Sequence, residues 1–107
     1  MRAYRFDSWE LNLNTRRLLT RDARQVRLSN GEFNLLVVLL ASPQRILSRD
    51  QLIDLSRLHN DDVFNRSIDT QILRLRRKLE GDAAQPRYIK TERGAGYVFC
   101  VPVETVY

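Results

Sequence analysis

The chain has 107 residues, 43% of them hydrophobic, with a formal net charge of +5 and an isoelectric point near 10. That length holds one domain with a real core but little to spare, the apolar content excludes a disordered chain, and the charge favours a polyanionic partner: nucleic acid or an anionic membrane surface. Its single cysteine, Cys100, excludes an intramolecular disulfide and a cysteine-based zinc site, and reads as a small buried hydrophobe.

From the N-terminus, Tyr4 to Asn14 alternates loosely, with Tyr4, Phe6, Trp9, Leu11 and Leu13 separated by polar residues. This predicts one strand, or two broken at Asp7–Ser8. Arg17–Thr20 and Gln25–Leu28 are short strand candidates, with Arg21–Arg24 as the turn between them. Residues 1–28 thus form a small antiparallel meander whose arginines at 16, 17, 21, 24 and 27 occupy solvated edges and turns. Ser29-Asn-Gly-Glu32 is a capping box, and the helix it opens carries Phe33, Leu36, Val37 and Leu40 on one face. Leu35, Val38 and Leu39 widen that surface, which predicts burial on more than one side, and Pro43 marks the end. Arg45–Ser48 is an extended link. Ser48-Arg-Asp-Gln51 repeats the capping pattern and starts a second helix, from about Arg49 to Ser56, with Leu52, Ile53 and Leu55 as core contacts. Arg57 to Asp62 is a polar loop, and Asp61 or Asp62 can cap a third helix.

The stretch from Asp61 to Leu79 predicts that third helix, extending over about 62–80. Phe64, Ile68, Ile72, Leu75 and Leu79 step by four, four, three and four and fall in one stripe. Ser67, Thr70, Gln71 and Arg74 form a second, polar stripe. Arg66 and Arg77 lie beyond it, and Arg76 and Lys78 at the margins. A face of hydrogen-bonding side chains among cations suits a DNA major groove, which admits one helix and is walled by phosphates. Gly81 is positioned to stop the helix as a left-handed cap. After a linker, Arg87–Glu92 and Tyr97–Val101 alternate as two strands around the turn Arg93-Gly-Ala-Gly96, and Pro102 weakens pairing beyond them. Tyr97 and Phe99 share one face and read as core, as does Trp9 in the meander.

Three helices with an N-terminal antiparallel sheet and a C-terminal hairpin over 87–101 is the plan of a winged helix, an α+β fold in a single domain, 1–107. In that plan the third helix enters a major groove and the wing touches backbone or a minor groove. Charge follows the plan in part. Residues 64–93 carry eight Lys and Arg against four acids and residues 29–63 three Arg against five, yet residues 1–28 carry seven Arg against three. A positive sum therefore does not by itself locate a site. The longest apolar run, Leu35–Ala41, is far short of a membrane span, and without a signal-peptide core the cytosol is the default. An enzyme reading fares badly, since His59 is the sole histidine and neither a catalytic triad nor a Walker loop is present. No cofactor is implied. A protein-binding winged helix, which predicts a large exposed apolar patch and little salt dependence, is the rival. A membrane-surface binder would want aromatic residues among the cations of its helix.

The run Arg66-Ser-Ile-Asp-Thr-Gln-Ile-Leu-Arg-Leu-Arg-Arg-Lys-Leu79 follows the pattern R-[ST]-[VI]-D-x-x-I-x-x-L-R-x-K-L. Ile89 to Phe99 follows [IV]-x-T-x-x-G-x-G-Y-x-F, and Leu28-Ser-x-x-Glu32-Phe33 and Leu47-Ser-Arg-x-x-Leu52 match upstream. These motifs, spanning residues 28–99, resemble the effector domain of the OmpR/PhoB family of bacterial two-component response regulators. The resemblance implies sequence-specific binding of double-stranded DNA by a cytoplasmic transcription regulator acting in a phosphorelay. The domain is expected to be monomeric alone and to bind direct-repeat half-sites as a tandem pair. No receiver domain is visible in the sequence, so the chain reads as an excised C-terminal domain. A ToxR-type transmembrane regulator or an antibiotic-pathway regulator beginning with the same module is the competing parentage.

On the matched positions the resemblance places Ser67, Thr70, Gln71 and Arg74 at base edges. Arg74 can grip guanine, Gln71 can pair with adenine, and the Thr70 methyl can meet thymine. Arg66, Arg76 and Arg77 are expected at phosphates, Thr91 at the backbone, and Arg93 in a minor groove, with Gly94 shaping the turn that presents it. Leu73 stands where many relatives carry a polar or basic residue; a thymine-methyl contact and plain exposure are both open for it, and it is left outside the site. Asp69 is expected to pair with an arginine inside the domain. The loop Arg57–Val63 corresponds to a segment that contacts RNA polymerase in some family members.

Overall fold

A computed structural model describes residues 1–57 and 68–107. Strands β1 (Ala3–Phe6), β2 (Trp9–Asn12), β3 (Arg17–Leu19) and β4 (Gln25–Val26) lead into helix α1 (Asn30–Ala41). Strand β5 (Ile46–Leu47), α2 (Arg49–Arg57) and α3 (Ile68–Leu79) come next, then β6 (Ile89–Glu92), β7 (Gly96–Phe99) and β8 (Glu104–Val106). The first residues expected of the third helix lie outside the described residues.

The meander forms as expected, with the break at Asp7–Ser8, where Asp7 takes the positive φ (53°) of a two-residue hairpin loop. Strand β8 is an addition to the expected elements. Pro102 ends the wing, but three residues beyond it pair antiparallel with β1, Ala3 opposite Val106, and extend the first sheet to the order β4-β3-β2-β1-β8. The second sheet, β5-β7-β6, joins the link between α1 and α2 to the wing. Phe6 of β1 meets Phe99 edge-on at 5.0 Å and Tyr88 at 5.5 Å, so an aromatic cluster welds the two sheets together.

Both capping boxes close. The Ser29 N–H donates to Glu32 Oε1 (2.9 Å) and the Glu32 N–H to Ser29 Oγ (3.1 Å). At the start of α2, Ser48 and Gln51 make the same exchange at 2.8 and 3.1 Å. Helix α1 is the central element: Phe33, Leu35, Leu36, Val38, Leu39 and Leu40 are all buried, as its broad apolar surface requires.

The wing hairpin turns through Glu92–Ala95, where the Ala95 N–H donates to the Glu92 carbonyl at 2.9 Å and Gly94 takes φ 78° at the third position, as a type II turn demands. Gly96 is constrained differently. Its φ is 141°, and a Cβ there would stand 2.0 Å from the Leu47 carbonyl oxygen, a backbone atom that cannot step aside. A Cβ on Gly94 would meet nothing within 4 Å. Gly96→Ala is therefore expected to destabilise the domain by about 3 kcal/mol, from strain and a backbone clash together, and Gly94→Ala by only about 1 kcal/mol. Urea denaturation of the two variants measures the difference; equal losses would mean that β7 does not pack against β5 this closely.

Candidate nucleic-acid interface

Helix α3 presents four faces, and its neighbours identify each. Ile68, Ile72, Leu75 and Leu79 are buried in the core. One flank faces the wing. There Arg76 Nε donates to the Ile89 carbonyl (2.9 Å) and Nη2 to Thr91 Oγ1 (2.7 Å). Two turns earlier Asp69 accepts from Arg49 Nε (2.8 Å) and from the Tyr97 hydroxyl. The opposite flank faces α1 and the meander. Lys78 Nζ donates to the Arg27 carbonyl (2.9 Å) and to Glu32 Oε1 (2.5 Å). Gln71, two turns earlier, lies against α1, where a Cβ on Gly31 would come 3.1 Å from its Nε2. The face left over, pointing away from the core, is Thr70, Leu73, Arg74 and Arg77, spaced i, i+3, i+4 and i+7.

The expected site residues distribute over these faces. Thr70 and Arg74 lie half-buried on the outward ridge and Arg77 lies exposed there. Gln71 sits on the α1 flank. Arg76 is turned to the wing, with two of its nitrogens engaged, and Thr91 is one of its acceptors. Arg93 and Gly94 are exposed at the wing tip. Arg66, Ser67 and the loop 58–63 lie outside the described residues. Asp69 pairs with Arg49 as expected. Among the described residues, no hydrogen bond or ion pair engages Arg74 or Arg77.

Tyr97 organises the wing flank. Its ring lies 5.6 Å from the guanidinium of Arg49 and 5.6 Å from that of Arg76. Burial, and then its hydrogen bond to Asp69, raise the Tyr97 hydroxyl above its ordinary value. The Arg49 and Tyr97 hydrogen bonds hold the Asp69 carboxyl below its own.

No sequence motif signals the role of Glu80. Its buried carboxylate accepts the backbone N–H groups of Arg87 (2.7 Å), Tyr88 (3.0 Å) and Ile89 (3.0 Å), so the end of α3 grips the start of β6. Gly81 does not act as the left-handed cap expected of it: among the described glycines only Gly94 and Gly96 have positive φ. The chain instead leaves the helix and returns to the Glu80 carboxylate. At the base of the wing, Asp7 accepts from Arg87 Nη1 (2.9 Å) and from the Tyr88 hydroxyl (2.7 Å). Burial, together with this bond, pushes Tyr88 up to about 12.

Residues 23–99 match the family model described as "Transcriptional regulatory protein, C terminal". The chain is 52% identical over 106 residues to the regulatory protein VirG of Agrobacterium fabrum, an alignment covering 99% of this chain and 42% of VirG. It thus spans about two-fifths of the length of that relative. Among solved structures it is similar to the DNA-binding domain of Klebsiella pneumoniae RstA, in complex with the RstA box (TM-score 0.79, 33% identity, covering 94% of this chain and 98% of that one). The DNA-binding domain of Escherichia coli CadC is equally similar in shape (TM-score 0.79, 30% identity, covering 97% and 96%).

Two measurements test the flanks of α3. Glu80→Ala leaves three backbone donors at the wing base without their acceptor and is expected to cost about 3 kcal/mol in urea denaturation; a loss below about 1 kcal/mol would remove Glu80 as the anchor. For Glu32, burial alone pushes the carboxyl up, but Lys78 and Ser29 outweigh it, and the net result lies below the ordinary value of 4.5. A depressed folded value means that the pair stabilises fully above pH 4.5 and loses that contribution as pH falls through the lower folded value. Glu32→Gln keeps the capping geometry and removes the charge. It is expected to be about 2 kcal/mol less stable than the parent at pH 7, with the gap closing as pH falls below 4.5 and through the lower folded value. A gap independent of pH would sink the ion-pair account.

Proposed function

The chain belongs to the family of transcriptional regulatory protein C-terminal domains, the DNA-binding effector domains of OmpR/PhoB-type response regulators, and from that premise we propose how it reads DNA. Helix α3 enters a major groove with its outward ridge towards the bases, and the wing tip lays Arg93 along an adjacent minor groove. The observation that carries this reading is the ridge itself, where Arg74 and Arg77 project from a helix whose other three faces are committed to core, wing and α1.

Arg74 is the base reader, by a two-pronged hydrogen bond to guanine, with Thr70 beside it, and the resemblance adds Ser67 to the base contacts. Gln71, resting on Gly31, borders the footprint on the α1 side. Arg77 and Arg66 hold phosphates. Arg76 fixes the wing through Ile89 and Thr91 and so sets the distance between the two grooves that the domain can span. Relatives' complexes with DNA, as for RstA and its box, support the partner class. Monomers pairing on direct-repeat half-sites, a polymerase contact through residues 57–63 and control by a phosphorylated partner domain complete the proposal for the whole regulator.

The test is selection of bound duplexes from a random-sequence pool, followed by fluorescence anisotropy at two salt concentrations. A direct-repeat motif should emerge. Arg74→Ala should cost about 1–3 kcal/mol and flatten preference at one base position. Arg77→Ala should weaken binding to all sequences and lower the salt slope by about 1. Weak binding that is equal across the pool and unchanged by Arg74→Ala would refute the proposal and favour a protein partner.

A further inference from the structure

The outward ridge of α3 contains one side chain that the polar reading does not absorb. Leu73 is 42% exposed, a turn from both Thr70 and Arg77 and next in sequence to Arg74. The other exposed large apolar side chains among the described residues, Met1, Ile46, Leu55 and Tyr107, stand on β5, on α2 and at the two ends of the chain. Single exposed leucines are ordinary on a protein surface, so exposure alone means little. Position is what matters: the flanks of α3 are fixed by Arg76 and Asp69 on the wing side and by Lys78 and Gln71 on the α1 side. Leu73 therefore projects from the wing-ward side of the face left for a ligand, between Thr70 and Arg77 along the helix axis. A major groove offers one apolar group at base edges, the C5 methyl of thymine.

We infer that Leu73 is a specificity-determining residue, selecting thymine at one position of the bound site by covering its C5 methyl group. The inference rests on the proposed docking of α3 in a major groove. It assigns to an apolar side chain a discrimination that the guanidinium groups of Arg74 and Arg77 on the same ridge do not make, and that is separate from any thymine met by the Thr70 methyl. Arg74 reads donors and acceptors, while Leu73 reads the presence of a methyl that adds apolar area and no hydrogen bond.

Deoxyuridine tests this directly, because it differs from thymidine only by that methyl and keeps every hydrogen-bonding group. The probe is the duplex enriched by this chain from a random-sequence pool, remade with each thymine replaced singly by deoxyuridine. Affinities are measured by fluorescence anisotropy for the parent chain, Leu73→Ala and Arg74→Ala, with circular dichroism confirming that each is folded. At one thymine, loss of the methyl should weaken parent binding about four-fold, the worth of one buried methyl-sized group. Leu73→Ala should bind the thymine and deoxyuridine duplexes equally. If every deoxyuridine substitution affects the parent and Leu73→Ala alike while Arg74→Ala still flattens a base position, the ridge reads DNA without Leu73 and this inference alone falls. If no motif is enriched, the docking of α3 in a groove and the role of Leu73 fall together.

Discussion

The carboxylate of Glu80 is the constraint on which the reading surface depends. It takes three consecutive backbone N–H groups, of Arg87, Tyr88 and Ile89, at the point where the chain returns from the linker to begin the wing. A carboxylate binding backbone donors forms the stronger, charge-assisted class of hydrogen bond, and three in a row fix the orientation of a segment rather than one atom. Four residues earlier, Arg76 takes the Ile89 carbonyl and the Thr91 hydroxyl. Arg76 and Glu80, one turn apart at the end of α3, therefore hold both backbone donors and acceptors of the segment 87–91. The wing cannot swing independently of the helix without breaking buried polar contacts, each of which is expensive to leave unmade.

That fixed relation gives the ridge its meaning. The proposed docking in two grooves would require a set distance and angle between helix and wing, and the side chains on the inner flanks hold helix and wing together. The same logic holds on the other side, where Lys78 ties α3 to the capping carboxylate of α1. Glu32 thus closes a helix cap and anchors a second helix with one group, which is why it is buried although charged. Tyr97 adds a third tie, its hydroxyl on Asp69 and its ring flanked by Arg49 and Arg76.

Local features are legible in the sequence and distant ones are not. The two capping boxes, the β1–β2 break and the core stripe of α3 each involve residues a few positions apart, so spacing alone predicts them. Periodicity finds the face of a helix that enters the core, but it does not divide the remaining surface into flanks and ridge. That division depends on where other elements lie. Gln71 and Arg74 therefore look alike in the polar stripe, whereas the structure lays Gln71 against Gly31 and leaves Arg74 outward. Arg76 looks like a free cation for the same reason. Glu80 acts across a linker, Gly81 leaves the helix without a positive φ, and β8 is a three-residue strand whose partner lies at the other end of the chain. The resemblance locates the motif residues, but it does not by itself say which of them hold the domain together.

Charge compensation then sorts the cations in a way that no count can. Within residues 64–93, Lys78 is paired with Glu32 on the flank facing α1, and Arg87, itself exposed, with Asp7 at the base of the wing. Arg76 donates to neutral backbone and hydroxyl acceptors of the wing, which fix its position without cancelling its charge. Arg74 and Arg77 have no acidic partner among the described residues, and both stand on the outward ridge. In the meander, Arg5 is held between Glu10 and Glu104 along the sheet. A polyanion approaching the domain is attracted by the charges that remain unpaired, not by the formal total, since a paired cation contributes little field at a distance. The sequence shows two basic blocks of equal excess. On the helix block, Lys78 and Arg87 are compensated by carboxylates of the fold while Arg74 and Arg77 on the outward ridge are not, which supports the proposed interface there more sharply than net charge does.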